Sequence, residues 1–288
     1  MIAVIGATGN TGRAAVKELK ALGENPLCIV RNPDKAKEVL GADAKTAVAE
    51  ITDKSALTKA LQGCDSVFMV TGHGPQVADQ QNGIIDAAKA AGVKFFVKVS
   101  GGKAVVKPDA ESAVFRSHYA VEEHLKKSGL QWCILRPGLF MQNTFTMAQS
   151  IKADGKMIAP FPKDKPMCFI DVRDTGAVGA RVVRDPGKHA GKIYNFTGAK
   201  SNYEEFAKVF SEVLGKPVTY IAASLEAAEQ GMRSRNMPDW LIAHLLAVAR
   251  AGAAGAFSEE MTEPIRSIVG RAPITTRQFV QDHKATFA

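Results

Sequence analysis

The sequence predicts an α/β fold, a doubly wound parallel sheet followed by a smaller C-terminal lobe. Three observations carry this. Short, continuous apolar runs alternate with helical patterns from residue 1 to about residue 135, the pattern of parallel strands covered on both faces by crossover helices. The first run breaks at once into the glycine-rich turn GATGNTG and restarts as a helix. After Gly138 the alternation gives way to a mixed stretch rich in Met, Phe and Pro. The domain boundary is therefore drawn between 1–138 and 139–288, with 171–198 expected to return to the sheet.

In chain order, Met1 to Ile5 is the first strand, and a helix runs from Thr11 to about Leu22. Pro26 to Val30 is the second strand and Pro33 to Leu40 a short helix. Ala44 to Glu50 is the third strand, and Lys54 to Leu61 a helix started by an Asp53 cap. Ser66 to Val70 is the fourth strand. A long helix from about Gln76 to Ala91 ends where Gly92 takes the C′ position. The fifth strand is Lys94 to Val99. A helix from about Ala110 to Lys127 stops at Gly129, before a sixth strand, Gln131 to Leu135. Further on, Asp171 to Arg184 reads as a helix that rejoins the sheet domain and Lys192 to Phe196 as a returning strand. Ser201 to Leu214 is an amphipathic helix capped by Ser201, and the Ala-rich stretch from about Leu225 to Ser258 is helical. The lobe is expected to close over the strand ends, where open α/β sheets bind ligands.

A strand that turns through glycines into a helix presents free backbone N–H groups and a positive dipole end to an anion. Three glycines at this spacing are a weak signal alone. At the end of a first strand and the start of a helix inside a βαβ unit, they point to a dinucleotide pyrophosphate. The candidate contacts are Gly6, Thr8, Gly9, Asn10, Thr11 and Gly12, with Arg13 a further phosphate candidate. The second strand ends in Val30, Arg31, Asn32, Pro33, with no carboxylate before Asp34. A ribose-binding acid is thus missing, and a guanidinium at Arg31 can grip a 2′-phosphate instead. This selects NADP(H) as cofactor, with NAD(H) as a second option; the bland alternative for Arg31 is a surface arginine.

Net charge is +8, from 37 basic and 29 acidic residues. The cations are scattered and no run of five or six occurs, so the basic balance reads as a solvated surface that favours a polyanionic cofactor, and no nucleic-acid partner is expected. Cys28, Cys64, Cys133 and Cys168 show no CxxC spacing, and three lie in the apolar runs LCIV, WCIL and MCFI. They read as reduced core residues, and no metal site is expected. No leader pattern and no apolar run of the ~20 residues needed for a membrane helix is present. The expected location is the cytoplasm, without a membrane partner; oligomeric state is open.

With GATGNTG, the cationic VRNP after the second strand, QNGIIDAAKAAGVKFFVKVS, and EEHLKKSGLQWCILRPGLFMQN, the chain resembles the NmrA-like branch of the atypical short-chain dehydrogenase/reductases, and within it NAD(P)H:quinone oxidoreductases. The similarity runs through Phe145 and resumes at FIDVRDTG and KIYNFTG. It implies a Rossmann domain, a small C-terminal lobe, and a cleft for a flat organic substrate beside the nicotinamide. One departure stands out. Alcohol-oxidising members of the superfamily use YxxxK, in which the Lys lowers the Tyr pKa. None of Tyr119, Tyr194, Tyr203 or Tyr220 has a Lys four residues later.

Aligning on Glu122 and Leu125 puts Val114 at the family's Tyr position and His118 at its Lys position. Val114, His118, Val121 and Leu125 recur every three or four residues, so they share one helix face directed at the sheet. His118 either holds the ribose or donates a proton, or is satisfied by Glu122 one turn on. The other catalytic candidates are Tyr119 and Ser100, the latter ending the fifth strand near the expected nicotinamide position. Glu50, Thr71 and Gly72 end strands three and four and are expected along the adenine and ribose cleft. His73, Phe140 and Asn143 are candidates for the acceptor, with a core Phe and a surface His as the plain alternatives. Asp174 reads as a helix cap.

These readings converge on an NADPH-dependent reductase that passes hydride to a quinone-like acceptor. Quinones delocalise the incoming charge, so positioning matters more than a strong acid. A non-catalytic redox-sensing regulator that binds the same dinucleotide is the alternative.

Overall fold

The computed structural model describes residues 1–288. Strand β1 (Ile2–Ile5) leads into helix α1 (Asn10–Ala21). The pattern repeats through β2 (Leu27–Val30), α2 (Pro33–Leu40), β3 (Thr46–Val48), α3 (Lys54–Ala60), β4 (Ser66–Met69), α4 (Val77–Ala90), β5 (Phe95–Val99), α5 (Ala113–Lys127) and β6 (Gln131–Pro137). A seventh strand, Lys192–Phe196, pairs with β6, and the sheet order is Lys192–Phe196, β6, β5, β4, β1, β2, β3. Every pairing in it is parallel. This is the doubly wound Rossmann arrangement, and its order reverses between β1 and β4, where the diverging strand ends leave a ligand crevice.

Alternate residues of each strand serve opposite cores, as the pleat dictates. Val4, Cys28, Phe68, Val97 and Leu135 pack with Ala15 and Leu19 of α1 and with Val178 and Val182 of the helix Val172–Arg184. Ile5, Ile29, Met69, Phe96 and Ile134 pack with Leu57, Ile84, Ile85, Val121 and Leu125 on the other side. The helix Val172–Arg184 approaches α1 and the sheet closely because it carries glycines. A Cβ at Gly176 would lie 2.6 Å from Ala14 Cβ, and one at Gly179 2.2 Å from the Phe68 ring.

The remaining chain builds on a third, aromatic-rich core that includes Met157, Phe169, Phe206, Phe210, Phe279 and Phe287. It is framed by a three-stranded sheet, Lys200–Ser201 beside Met167–Ile170 beside Leu139–Phe140, and by the pair Thr219–Ala222 with Lys156–Ala159.

Several boundaries differ from the sequence expectation, each for a local reason. The third strand shortens to Thr46–Val48 at the open edge of the sheet. Helix α5 starts at Ala113 because Ser112, not a residue near Ala110, caps it by accepting from Val114 N at 3.2 Å. Asn202, rather than Ser201, caps the helix Tyr203–Leu214, accepting from Glu205 N at 2.8 Å. Asp171 caps the helix Val172–Arg184; Asp174 is fully buried, accepts from Ile274 N at 2.9 Å and pairs with Arg271. The stretch expected as continuous helix from Leu225 divides into Leu225–Arg233 and Asp239–Ala253 around Asn236, whose φ is 55°, and Pro238. All four cysteines are buried and free.

Candidate active site

The site begins where β1 ends. Gly6 has φ +83°, and a Cβ there would lie 1.7 Å from the Val70 carbonyl oxygen. A Cβ at Gly12 would lie 2.0 Å from the Gly6 carbonyl oxygen. The turn and the first turn of α1 therefore touch backbone to backbone, which only glycine permits. Gly9 caps α1 through its backbone alone, with no side-chain cap and no acidic residue in the first turn. The first amides of α1 are left to an outside anion, as an anion-binding helix start requires. Thr8, Gly9 and Asn10 are exposed and Thr11 is buried. Asn10 Oδ1 accepts from Arg13 Nη2 at 2.8 Å, drawing that guanidinium over the helix start.

At the end of β2, Arg31 is exposed and makes no hydrogen bond or ion pair within the chain. Asn32 is spent on capping α2, accepting from Asp34 N and Lys35 N at 3.0 Å each. Glu50 is exposed beyond β3. Thr71, after β4, accepts from Gln81 Nε2 of α4 at 2.8 Å, and Gly72 is exposed beside it. The parallel register, pairing Ile5 with Ile29 and Met69, and Met69 with Lys98, puts all these positions on one edge of the sheet.

A buried polar cluster lies between β5, α5 and β6. Lys98 of β5 is fully buried; its Nζ lies 3.0 Å from His118 Nδ1 and donates to Val99 O at 3.1 Å. Glu122, also fully buried, accepts from Ser100 Oγ at 2.6 Å and from Arg136 Nε and Nη2 at 3.0 and 2.5 Å. Glu122 is thereby engaged, and the partner of His118 is Lys98 rather than Glu122. The expected apolar face holds, since Val114, His118, Val121 and Leu125 are all buried on α5. The Nε2 atom of His118 is buried and has no partner.

Three imidazoles adjoin there. His73 meets His118 edge-on, with ring centroids 5.4 Å apart, and lies 5.5 Å from His244 of the helix Asp239–Ala253. Ser112 Oγ lies 2.7 Å from His244 Nδ1. Burial strips hydration from Lys98 and, against the attraction of Glu122, brings its pKa down to about 7. Burial, and then the Lys98 charge, push His118 well below the ordinary imidazole range. His244 falls to about 4, mainly through burial. His73, open to solvent on one side, has a ring crowded by protein, and with the Lys98 cation this lowers it too.

The other candidates are placed as follows. Ser100 turns inward and gives its hydrogen to Glu122. Tyr119 is half-buried, and its side chain leaves α5 about 100° around from His118. Phe140 packs against the core on the α1 side of the sheet, so the core alternative describes it. Asn143 is exposed in the 3-10 helix Met141–Met147. Sequence reasoning missed Lys98, Arg136, Ser112 and His244. Lys98 carried a legible signal, a lone charge inside the apolar run FFVKV, since a strand buried on both faces has no solvent to offer it. His244 carried none, because its neighbours lie more than a hundred residues away in sequence.

Comparison with known proteins gives a consistent picture. The NmrA-like family model matches residues 1–267. NAD(P)H azoreductase of Xenophilus azovorans is 33% identical over 288 residues, covering 100% of this chain and 99% of that protein. Quinone oxidoreductase 2 of Escherichia coli is 31% identical over 282 residues, covering 96% of each. The crystal structure of the Escherichia coli NADPH-dependent quinone oxidoreductase complexed with NADPH superposes with a TM-score of 0.86 at 28% identity, over 98% of this chain and 99% of that one. With its glycine turn, its seven parallel strands and a family match across nearly its whole length, this chain belongs to the NmrA-like family.

Proposed function

We propose that this protein is an NADP(H)-dependent reductase acting on a flat, conjugated acceptor of quinone type. The observation that carries the reading is the partnerless, buried Nε2 of His118, set at the same sheet edge as the uncapped start of α1. A buried imidazole nitrogen without a partner costs stability unless a ligand or substrate meets it. The residues fit the dinucleotide: the Gly6–Gly12 cradle leaves room for backbone approach, and Arg31 is an unpaired cation where a 2′-phosphate would lie. The azo and quinone reductases among the relatives support the same chemistry.

In this reading Gly6, Thr8, Gly9, Asn10, Thr11 and Gly12 hold the pyrophosphate, with Arg13 steadied above it by Asn10. Arg31 holds the 2′-phosphate, and NADH is accepted more weakly. Glu50, Thr71 and Gly72 border the adenine and ribose. The reduced nicotinamide, when bound, supplies hydride. His118 orients the acceptor's oxygen and gives it a proton, and His73 flanks the same space. Ser100 serves as a positioning residue, fixing Glu122, and Phe140 stays in the core. No YxxxK tyrosine is needed, because a quinone ring spreads the incoming negative charge.

The deciding assay follows loss of NADPH absorbance with a panel of quinones and azo dyes. Acceptor-dependent oxidation is expected. Tight NADPH binding with no oxidation by any acceptor would overturn the reading in favour of a redox-sensing regulator.

A further inference from the structure

Lys98 is the least expected residue in the molecule: a cation with no exposed surface, in the middle of a parallel sheet. An apolar side chain would suit the face it occupies, since Phe96, the neighbouring position on that face of β5, packs with Val121 and Leu125 of α5. A buried ammonium must use its hydrogens. One goes to Val99 O, and a second points at His118 Nδ1, 3.0 Å away. An ammonium has donors and no acceptor, so His118 Nδ1 must accept. A neutral imidazole that accepts at Nδ1 carries its hydrogen on Nε2, the atom left without a partner.

We propose that Lys98 is a positioning residue that holds His118 as its Nε2–H tautomer and restores that hydrogen after each transfer to the acceptor. The inference rests on the reductase reading for its chemistry, but the tautomer exists in the free protein. The step balances. The acceptor gains hydride and becomes an anion; its oxygen takes the proton from His118 Nε2 as the Nε2–H bond breaks. His118 Nδ1 takes a proton from Lys98 Nζ, leaving a neutral amine beside a neutral imidazole protonated on Nδ1. One proton from solvent then resets the pair, and His73, open to solvent, stands edge-on to His118. The charges facing the pair are Glu122 of α5 and Arg136 of β6, which largely cancel, with His73 and His244 beyond them. A Lys98 pKa brought down to about 7 leaves the proton transferable near neutrality.

The test uses the whole chain labelled with ¹⁵N-histidine, with His118→Gln to assign its ring. In the cofactor-free protein at pH 6, His118 should show a protonated Nε2 and a hydrogen-bonded, unprotonated Nδ1. In Lys98→Met, a near-isosteric change, the ring should relax to a mixture of tautomers. With NADPH and an active acceptor, wild-type kcat should fall about tenfold per pH unit above neutrality, and Lys98→Met should be roughly 10- to 100-fold slower with a flat profile. NADPH affinity, measured by fluorescence, should change less than about twofold. A wild-type His118 protonated on Nδ1 would overturn the proposal, as would a Lys98→Met protein with unchanged ring spectra. If no acceptor is turned over, the reductase reading fails alone, and the nitrogen spectra still decide the Lys98–His118 relationship.

Discussion

Arg136 grips Glu122 through two parallel contacts, Nε to Oε1 at 3.0 Å and Nη2 to Oε2 at 2.5 Å, while Glu122 itself is fully buried. The pair ties the end of β6 to the middle of α5, and Ser100 joins it from just beyond β5. Three elements that carry the candidate catalytic groups are thus held in one register.

Breaking this pair from one side should be costly. Arg136→Met leaves a buried carboxylate without its counter-charge, and a loss of about 3–5 kcal/mol in unfolding free energy is expected. Adding Glu122→Gln should recover much of it. Denaturant unfolding of the two variants checks this, and equal stability of wild type and Arg136→Met would show that the pair is not desolvated.

The glycine turn predicts a contrast between neighbours. Gly12→Ala drives a methyl to 2.0 Å from the Gly6 carbonyl oxygen, so the turn must open and both folding stability and NADPH binding should fall. At Gly9 the same methyl lies 3.4 Å from that oxygen, and φ is −77°. Gly9→Ala should fold normally and lose only cofactor affinity. Thermal unfolding together with NADPH titration separates the two.

Arg31→Ala should weaken NADPH roughly 10- to 100-fold, the worth of a charge-assisted contact to phosphate. NADH lacks the 2′-phosphate and should be nearly unaffected. Equal losses for both would remove Arg31 from the 2′-phosphate role.

Lys98 also makes a stability prediction. Its pKa falls from 10.5 to about 7 on folding. Between those values the unfolded chain binds the proton and the folded chain does not, so stability rises with pH through this window, by about 1.4 kcal/mol per unit at most. Lys98→Met should flatten that rise, and its stability relative to wild type should be greatest below neutrality. Urea unfolding at neutral and alkaline pH checks the sign.

The sheet was legible because its strands are largely apolar runs and its longer helices are amphipathic, and because a local cap such as Asp53 acts within a few residues. The positions expected at the cofactor could be located for a similar reason: Gly6 and Arg31 directly follow strands and Gly12 lies in the first turn of α1, places the pattern determines. The aromatic lobe was not legible, since its core joins Phe169, Phe206 and Phe287 across long sequence gaps. The imidazole cluster failed in the same way, because His73, His118 and His244 meet only through tertiary packing. Lys98 was overlooked as one charge in a strand, although its isolation was itself the clue.

The most direct test of the cofactor edge is calorimetric titration of the purified protein with NADPH and, separately, NADH. One site per chain is expected, with clear heat for NADPH and affinity at least about tenfold above NADH, the factor one charged phosphate contact supports. Absence of heat with both nucleotides, in their reduced and oxidised forms, would contradict it.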